Sequence, residues 1–338
     1  MPGQRQRQRA SLLALAYGDA YGSLMKDWTA RQTAQVLGSE KAEAPTTWPP
    51  AARGLPLAER KRLKKIGLHR LDTQLAMAMV NLLAGDEITD EAYCDWLVRG
   101  FESRAWRGAD QRMMKIAHGY RATGGAVRLQ ERSSHLGPLC LGIPMALRHE
   151  NDAEDILRQT MHVADIFYQS PETSVAAACV AFGVHQIMRG KPWHVPDAEV
   201  RSVVDEHFID PNRLDRLFAE HENGLKLSPI EEEVRRVLDV LSRTVNVSES
   251  SIAVEIRMDD HSTVPESIIA AVMHAARTGA VPAVQMRLMD EARLERYSRA
   301  LESGSLPVED AGEFFKNEYE LSRTERVFQD QMAAERRS

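Results

Sequence analysis

The chain has 338 residues, 43% of them hydrophobic and 27% charged, with a formal net charge of −6, the profile of a globular protein with enough apolar material for a core. An acidic balance argues against a nucleic-acid or membrane-surface partner, since neither favours net negative charge. The longest wholly apolar stretches, such as Val175 to Val184, fall short of a bilayer span. No charged region followed by an apolar leader opens the chain, so a cytoplasmic location is expected.

Helical periodicity dominates in chain order. Residues 1–9, with Arg5, Arg7 and Arg9 interleaved with glutamines, read as a disordered basic terminus. Leu12, Leu13, Leu15 and Ala16 form a first apolar stripe, and Leu75, Met77, Ala78, Val80, Leu82 and Leu83 a second. Between them, Gly38 to Pro56 carries four prolines and reads as a long loop of the kind that rims a pocket. Thr89 before Asp90 and Glu91, Ser170-Pro171-Glu172 and Ser228-Pro229 are helix starts, with proline where its missing N–H costs nothing.

Further helical segments are Ile156–Phe167, Ser174–Met188, Ile230–Leu241 and Glu266–Arg277. Ile252 to Ile256 is the one weak strand candidate, inside a polar stretch from Thr244 to Thr263. After Gly304 a charged helical tail, Val308 to Arg337, carries Phe314, Phe315, Tyr319, Val327 and Phe328 as anchors. Cys94, Cys140 and Cys179 are odd in number and lack CxxC spacing, which fits buried thiols in a reducing compartment.

Three short motifs carry candidate chemistry. Gly18-Asp19-Ala20-Tyr21-Gly22 puts a carboxylate between two glycines, suited to backbone approach to a ligand and to orienting a sugar hydroxyl; a glycine cap ending the first helix gives the same pattern. Leu71-Asp72-Thr73 opens the second helix and reads either as an N-cap or as a carboxylate aimed into a cleft. A third loop runs Ser134-His135-Leu136-Gly137-Pro138-Leu139.

In order and spacing, residues 11–25, 70–85 and 133–146, with Thr263-Val264-Pro265-Glu266-Ser267 further on, resemble the ADP-ribosylglycohydrolase family. Its members open with G-D-A-x-G, continue with S/T-D-D-T and then with G-N-G-P-L-M-R-x-x-P. The resemblance implies an all-α orthogonal helical bundle over residues 10–304, here with a C-terminal helical extension over 305–338. It also implies a cleft that holds two magnesium ions for hydrolysing an N- or O-glycosidic bond to ADP-ribose.

The chain departs from that pattern where the metal would bind. S/T-D-D-T becomes Arg70-Leu71-Asp72-Thr73, the early acidic residue becomes Lys26, and the late G-G-D-T-D-T aligns with Arg287-Leu288-Met289-Asp290-Glu291-Ala292. The T-H dipeptide before the Ser174 helix becomes Gln169-Ser170. Leu71, Met289 and Lys26 thus replace three oxygen donors, and magnesium needs a near-octahedral oxygen shell. No metal or other cofactor is expected.

The expectation is then a metal-independent glycohydrolase acting on a small-molecule or protein-linked ADP-ribosyl or ribosyl-phosphate nucleotide derived from NAD. Asp72 serves as general base or oxocarbenium stabiliser, with Asp19 beside it and His135 as acid. Tyr21, Gly22, Lys26, Arg70, Thr73, Ser134, Gly137, Asp290 and Glu291 line the substrate site. Lys26 and Arg70 supply charge against phosphate, though both also read as solvated helix ends. Trp28 and Trp48 are candidates for stacking a base. The competing expectation is an inactive binding or immunity-type protein of the same fold, because fold and site are separable.

Overall fold

The computed structural model describes residues 3–25, 67–84, 88–109, 111–125, 139–148, 152–168, 170–204, 208–219, 227–246, 264–281 and 288–334. They are helical almost throughout, and no strand occurs among the described residues. The helices are α1 (Gln4–Met25), α2 (Leu71–Leu82), α3 (Asp90–Glu102), α4 (Gln111–Thr123), α5 (Ile143–Leu147), α6 (Ala153–Tyr168) and α7 (Pro171–Met188), followed by α8 (Asp197–Val203), α9 (Pro211–Phe218), α10 (Pro229–Asn246), α11 (Val264–Thr278), α12 (Glu291–Ser303) and α13 (Ala311–Ala334). A 3-10 turn, Leu139–Gly142, leads into α5. The all-α architecture expected from the sequence is the one observed.

Local chemistry accounts for the helix starts. The Thr89 hydroxyl accepts from the Ala92 N–H at 3.2 Å. Ser228 and Glu231 form a reciprocal capping box around Pro229: Glu231 N–H donates to Ser228 Oγ at 3.4 Å and Ser228 N–H to the Glu231 carboxylate at 2.8 Å. α7 is buried from Glu172 to Met188 and is apolar around its whole circumference, as a central helix must be. It packs on α5, α6, α10, α11 and the 3-10 turn.

Two expectations are corrected at the N-terminus. The first is the disordered start: α1 begins at Gln4. Gln8 is buried and donates to the Leu147 carbonyl at 2.6 Å, Arg7 donates to the Ile187 carbonyl at 3.1 Å, and Arg9 pairs with Glu295 at 2.8 Å. The second is the glycine cap, because α1 runs through Gly18 and Gly22 to Met25. Gly18 marks the crossing of α1 and α11. A Cβ there would lie 2.7 Å from Ile268 Cα and 2.8 Å from the Ser267 carbonyl oxygen, so only glycine permits this approach.

Cys94, Cys140 and Cys179 are buried free thiols. Gly304, at φ +70°, closes α12, and the tail returns to the body. Phe314 and Phe315 of α13 pack against Trp96 and Trp106, with ring centroids 5.0 Å apart for Trp96–Phe314 and 5.4 Å for Trp106–Phe315. Trp193 packs on Phe182. Among the described residues no helix is long and apolar enough to cross a membrane. The Ile252–Ile256 segment, the Gly38–Pro56 loop and most of Thr244–Thr263 lie outside the described residues.

Candidate functional site at the start of α2

The motif helix α2 has Arg70 at its N-cap, and no side chain of its own supplies the cap. Asp19 does so from α1. One oxygen of its fully buried carboxylate accepts from Arg70 N–H at 2.7 Å, Thr73 N–H at 3.1 Å and the Thr73 hydroxyl at 2.8 Å. The other accepts from the Ser23 hydroxyl at 3.3 Å. Two orphan N–H groups of a helix start are thereby satisfied from a neighbouring helix. Asp19 and Thr73 thus hold the start of α2.

Asp72 is different. It is partly exposed, and the thiol of buried Cys140, from the third motif loop, donates to the Asp72 carbonyl at 3.2 Å and stands 3.9 Å from its carboxylate. Burial and the charge of Asp19 push its carboxyl up to about 7, against the opposing pull of its own N–H, Arg70 and Cys140. Burial and the same two carboxylates hold Cys140 well above the usual thiol range, so it stays a thiol and a donor. A carboxyl tuned close to neutrality beside a second carboxylate is the arrangement general acid–base chemistry uses.

Arg70, partly buried, lies across Gly108. With φ +81° there, a Cβ would stand 2.5 Å from the Arg70 guanidinium. Tyr21 and Gly22 are buried within α1. Glu291, in the first turn of α12, accepts from the Tyr17 hydroxyl at 3.4 Å. Lys26, Ser134, His135 and Gly137, like Trp28 and Trp48, lie outside the described residues.

Asp290 belongs to a network the sequence reading missed. It meets His69 Nδ1 at 3.2 Å. Burial works to raise its carboxyl, but His69 holds it below the usual range. Arg107 Nη2 stands 2.5 Å from His69 Nε2 and 2.7 Å from Glu318 of α13. A guanidinium only donates, so these partners assign the His69 proton to Nδ1. Arg293 clamps Glu309 at 2.6 Å and also pairs with Glu318. Burial would raise the Glu318 carboxyl, yet Arg107, His69 and Arg293 hold it well below its ordinary value.

A signal for this network does exist in the sequence. Gln74 and Asn81 stand two turns apart on one face of an otherwise apolar helix. Gln74 donates to Glu318 at 2.6 Å, while Asn81 accepts the Val308 N–H at 2.9 Å and donates to the Tyr297 hydroxyl at 2.8 Å.

The donor set does not fit a dinuclear magnesium centre. Among the described motif positions Asp19 is engaged in capping, the Leu71 side chain offers no oxygen and Met289 is exposed and apolar, which leaves Asp72, with the Arg70 charge near it, and Glu291. His69, Asp290 and Glu318 bring ligand atoms within 4.8 Å of one another, but the Arg107 guanidinium takes up the His69 Nε2 lone pair and pairs with the Glu318 carboxylate.

A search of curated proteins returns no match. A sequence profile described as ADP-ribosylglycohydrolase matches residues 1–298, taking in α1 with Asp19, α2 with Asp72, the Cys140 turn and most of α12. With nearly the whole helical body matched, the chain belongs to the ADP-ribosylglycohydrolase family.

Proposed function

We propose that this protein hydrolyses the glycosidic bond of an ADP-ribosyl or ribosyl-phosphate substrate, free or protein-linked and derived from NAD, without a metal ion. The observation that carries the reading is Asp72, a partly exposed motif carboxylate tuned to about 7 by burial and by Asp19 behind it. Near neutral pH both its forms are populated. The ionised form takes a proton from water as the water oxygen bonds to the anomeric carbon. The bond to the aglycone breaks, and the aglycone leaves with a proton from an acid, for which His135 is the candidate. The carboxylate charge also favours the oxocarbenium-like transition state of glycoside cleavage. Lys26 and Arg70 supply charge toward the phosphate.

The test is release of free base or ADP-ribose from a panel of NAD-related and ADP-ribosylated substrates, run with a chelator and with added magnesium. Turnover that persists in chelator is expected. Turnover only with magnesium overturns the metal-free part. No turnover on any member, with a macromolecule co-purifying, gives precedence to the inactive binding protein.

A further inference from the structure

The family match ends at residue 298, yet side chains beyond it reach the motif helix. The two residues that flank Arg70–Thr73 are tied to a single residue, Arg107, one through its side chain and one through its backbone. Its Nε donates to the His69 carbonyl at 2.8 Å, and its backbone N–H donates to Gln74 Oε1 at 2.7 Å. Gln74 in turn donates to the Ala105 carbonyl at 2.8 Å and to Glu318 at 2.6 Å. Glu318 closes the circuit on the Arg107 guanidinium at 2.7 Å, in a site where its own side chain is fully buried.

We infer that Arg107, fixed by Glu318 of the C-terminal helix, is a positioning residue for Asp72. Asp19 holds the α2 start from one side through Arg70 and Thr73. Arg107 holds it from the other through His69 and Gln74. Neither contact touches the Asp72 carboxylate, while the backbone carrying it is pinned at both ends. The planar guanidinium is needed because it must donate to a carbonyl, the His69 ring and a carboxylate at once. A lysine ammonium carries the charge but not that fork. The C-terminal helix is thereby a working part of the catalytic body rather than a separate tail. The competing use of this cluster, a metal site at His69, Asp290 and Glu318, is disfavoured by charge: Arg107 and Arg293 already balance it.

The inference rests on the reading of Asp72 as the reacting carboxylate, and its test has a readout independent of turnover. In the full-length protein, Arg107→Lys is expected to speed amide hydrogen exchange at Arg70, Thr73 and Gln74 by tenfold or more, while the α7 amides keep wild-type protection. With a turned-over substrate, kcat is expected to fall at least tenfold and KM to stay within twofold. Arg296→Lys is the control. It loosens Glu309 and leaves both cationic partners of Glu318 in place, so both readouts are expected to stay within twofold of wild type. Wild-type exchange at the α2 start in Arg107→Lys overturns the inference. So does equal loss of protection in α7, and so does an Arg296→Lys variant that matches Arg107→Lys in both readouts. If Arg107→Lys fails to fold, Glu318→Gln takes its place, with the same outcomes read the same way. Absence of any turnover by the unaltered protein sinks the catalytic reading, while the exchange pattern still decides whether Arg107 holds the α2 start.

Discussion

The two sides of α2 make opposite use of charge. On the side facing α12 and α13, every buried ion has a partner: Glu318 lies between Arg107 and Arg293, and Glu309 between Arg293 and Arg296. On the side facing Cys140, Asp72 stands near a second carboxylate with a weak thiol donor for company. Pairing holds the Glu318 carboxyl well down against its burial, whereas burial and the Asp19 charge push Asp72 up to about 7. Paired charge fixes one side of α2, while Asp72 on the other side is held at a cost in stability, a pattern that marks a functional-site candidate.

The sharpest way to break the comparison is at Asp72. Asp72→Asn keeps shape and removes the proton acceptor. Turnover is expected to fall by about 10²–10⁴-fold, the usual worth of a general acid–base group, with substrate affinity nearly unchanged in a binding assay. Activity that survives the change would move the reacting carboxylate to Glu291, a motif carboxylate that is also partly exposed.

Next in size is the paired side. Glu318→Ala leaves Arg107 and Arg293 buried without one of their anions, and losing one partner of a buried pair costs about 3–5 kcal/mol. Glu309 still holds Arg293, so the lower end is expected in urea unfolding. A neutral effect would mean that water reaches the cluster and that the two sides of α2 differ less than described.

A smaller loss is expected away from both sides, at the crossing of α1 and α11. Gly18→Ala places a methyl against backbone that cannot swing aside. Overpacking of this kind costs about 1–3 kcal/mol, again read by chemical unfolding. Because Asp19 is the next residue, separating the helices is also expected to loosen the α2 cap, which sequence-resolved hydrogen exchange at Arg70 and Thr73 reports.

The helices were legible because apolar stripes, prolines and capping residues act locally, as Ser228–Glu231 and Thr89 show. The role of Gly18 was not, since a glycine inside a helix and one ending it look alike until the second helix, α11, is placed. Asp72 was legible from its motif. Asp19 was singled out too, but its use as a cap for another helix depends on a contact 54 residues along the chain. The Arg107–Glu318 circuit was hidden more deeply, its members 211 residues apart, and only the odd pair of carboxamides on α2 hinted that something polar had to meet that face.

The finest test of the comparison is how stability responds to pH at Asp72. Its carboxyl is raised from the ordinary 3.8 to about 7 on folding, so the folded state binds this proton more tightly than the unfolded chain does. The stabilising share of that proton is complete at acid pH, below the unfolded value, and is lost as pH rises through about 7. Asp72→Asn cannot ionise. It is therefore expected to match the native protein at low pH and to exceed it in stability above neutrality, even as turnover is lost. The linkage alone corresponds to about 4 kcal/mol, at about 1.4 kcal/mol for each tenfold gain in proton affinity. Partial exposure, sharing with Asp19 and loss of a favourable anion in the first turn of α2 all reduce it. A gain of about 1 kcal/mol is expected at alkaline pH, measured as the difference in urea midpoint between the two proteins across the pH range. A gain that is constant with pH would place its cause in packing. A loss at alkaline pH would show that the Asp72 carboxylate is paired after all, and the contrast between the two sides of α2 would then fail where it matters most.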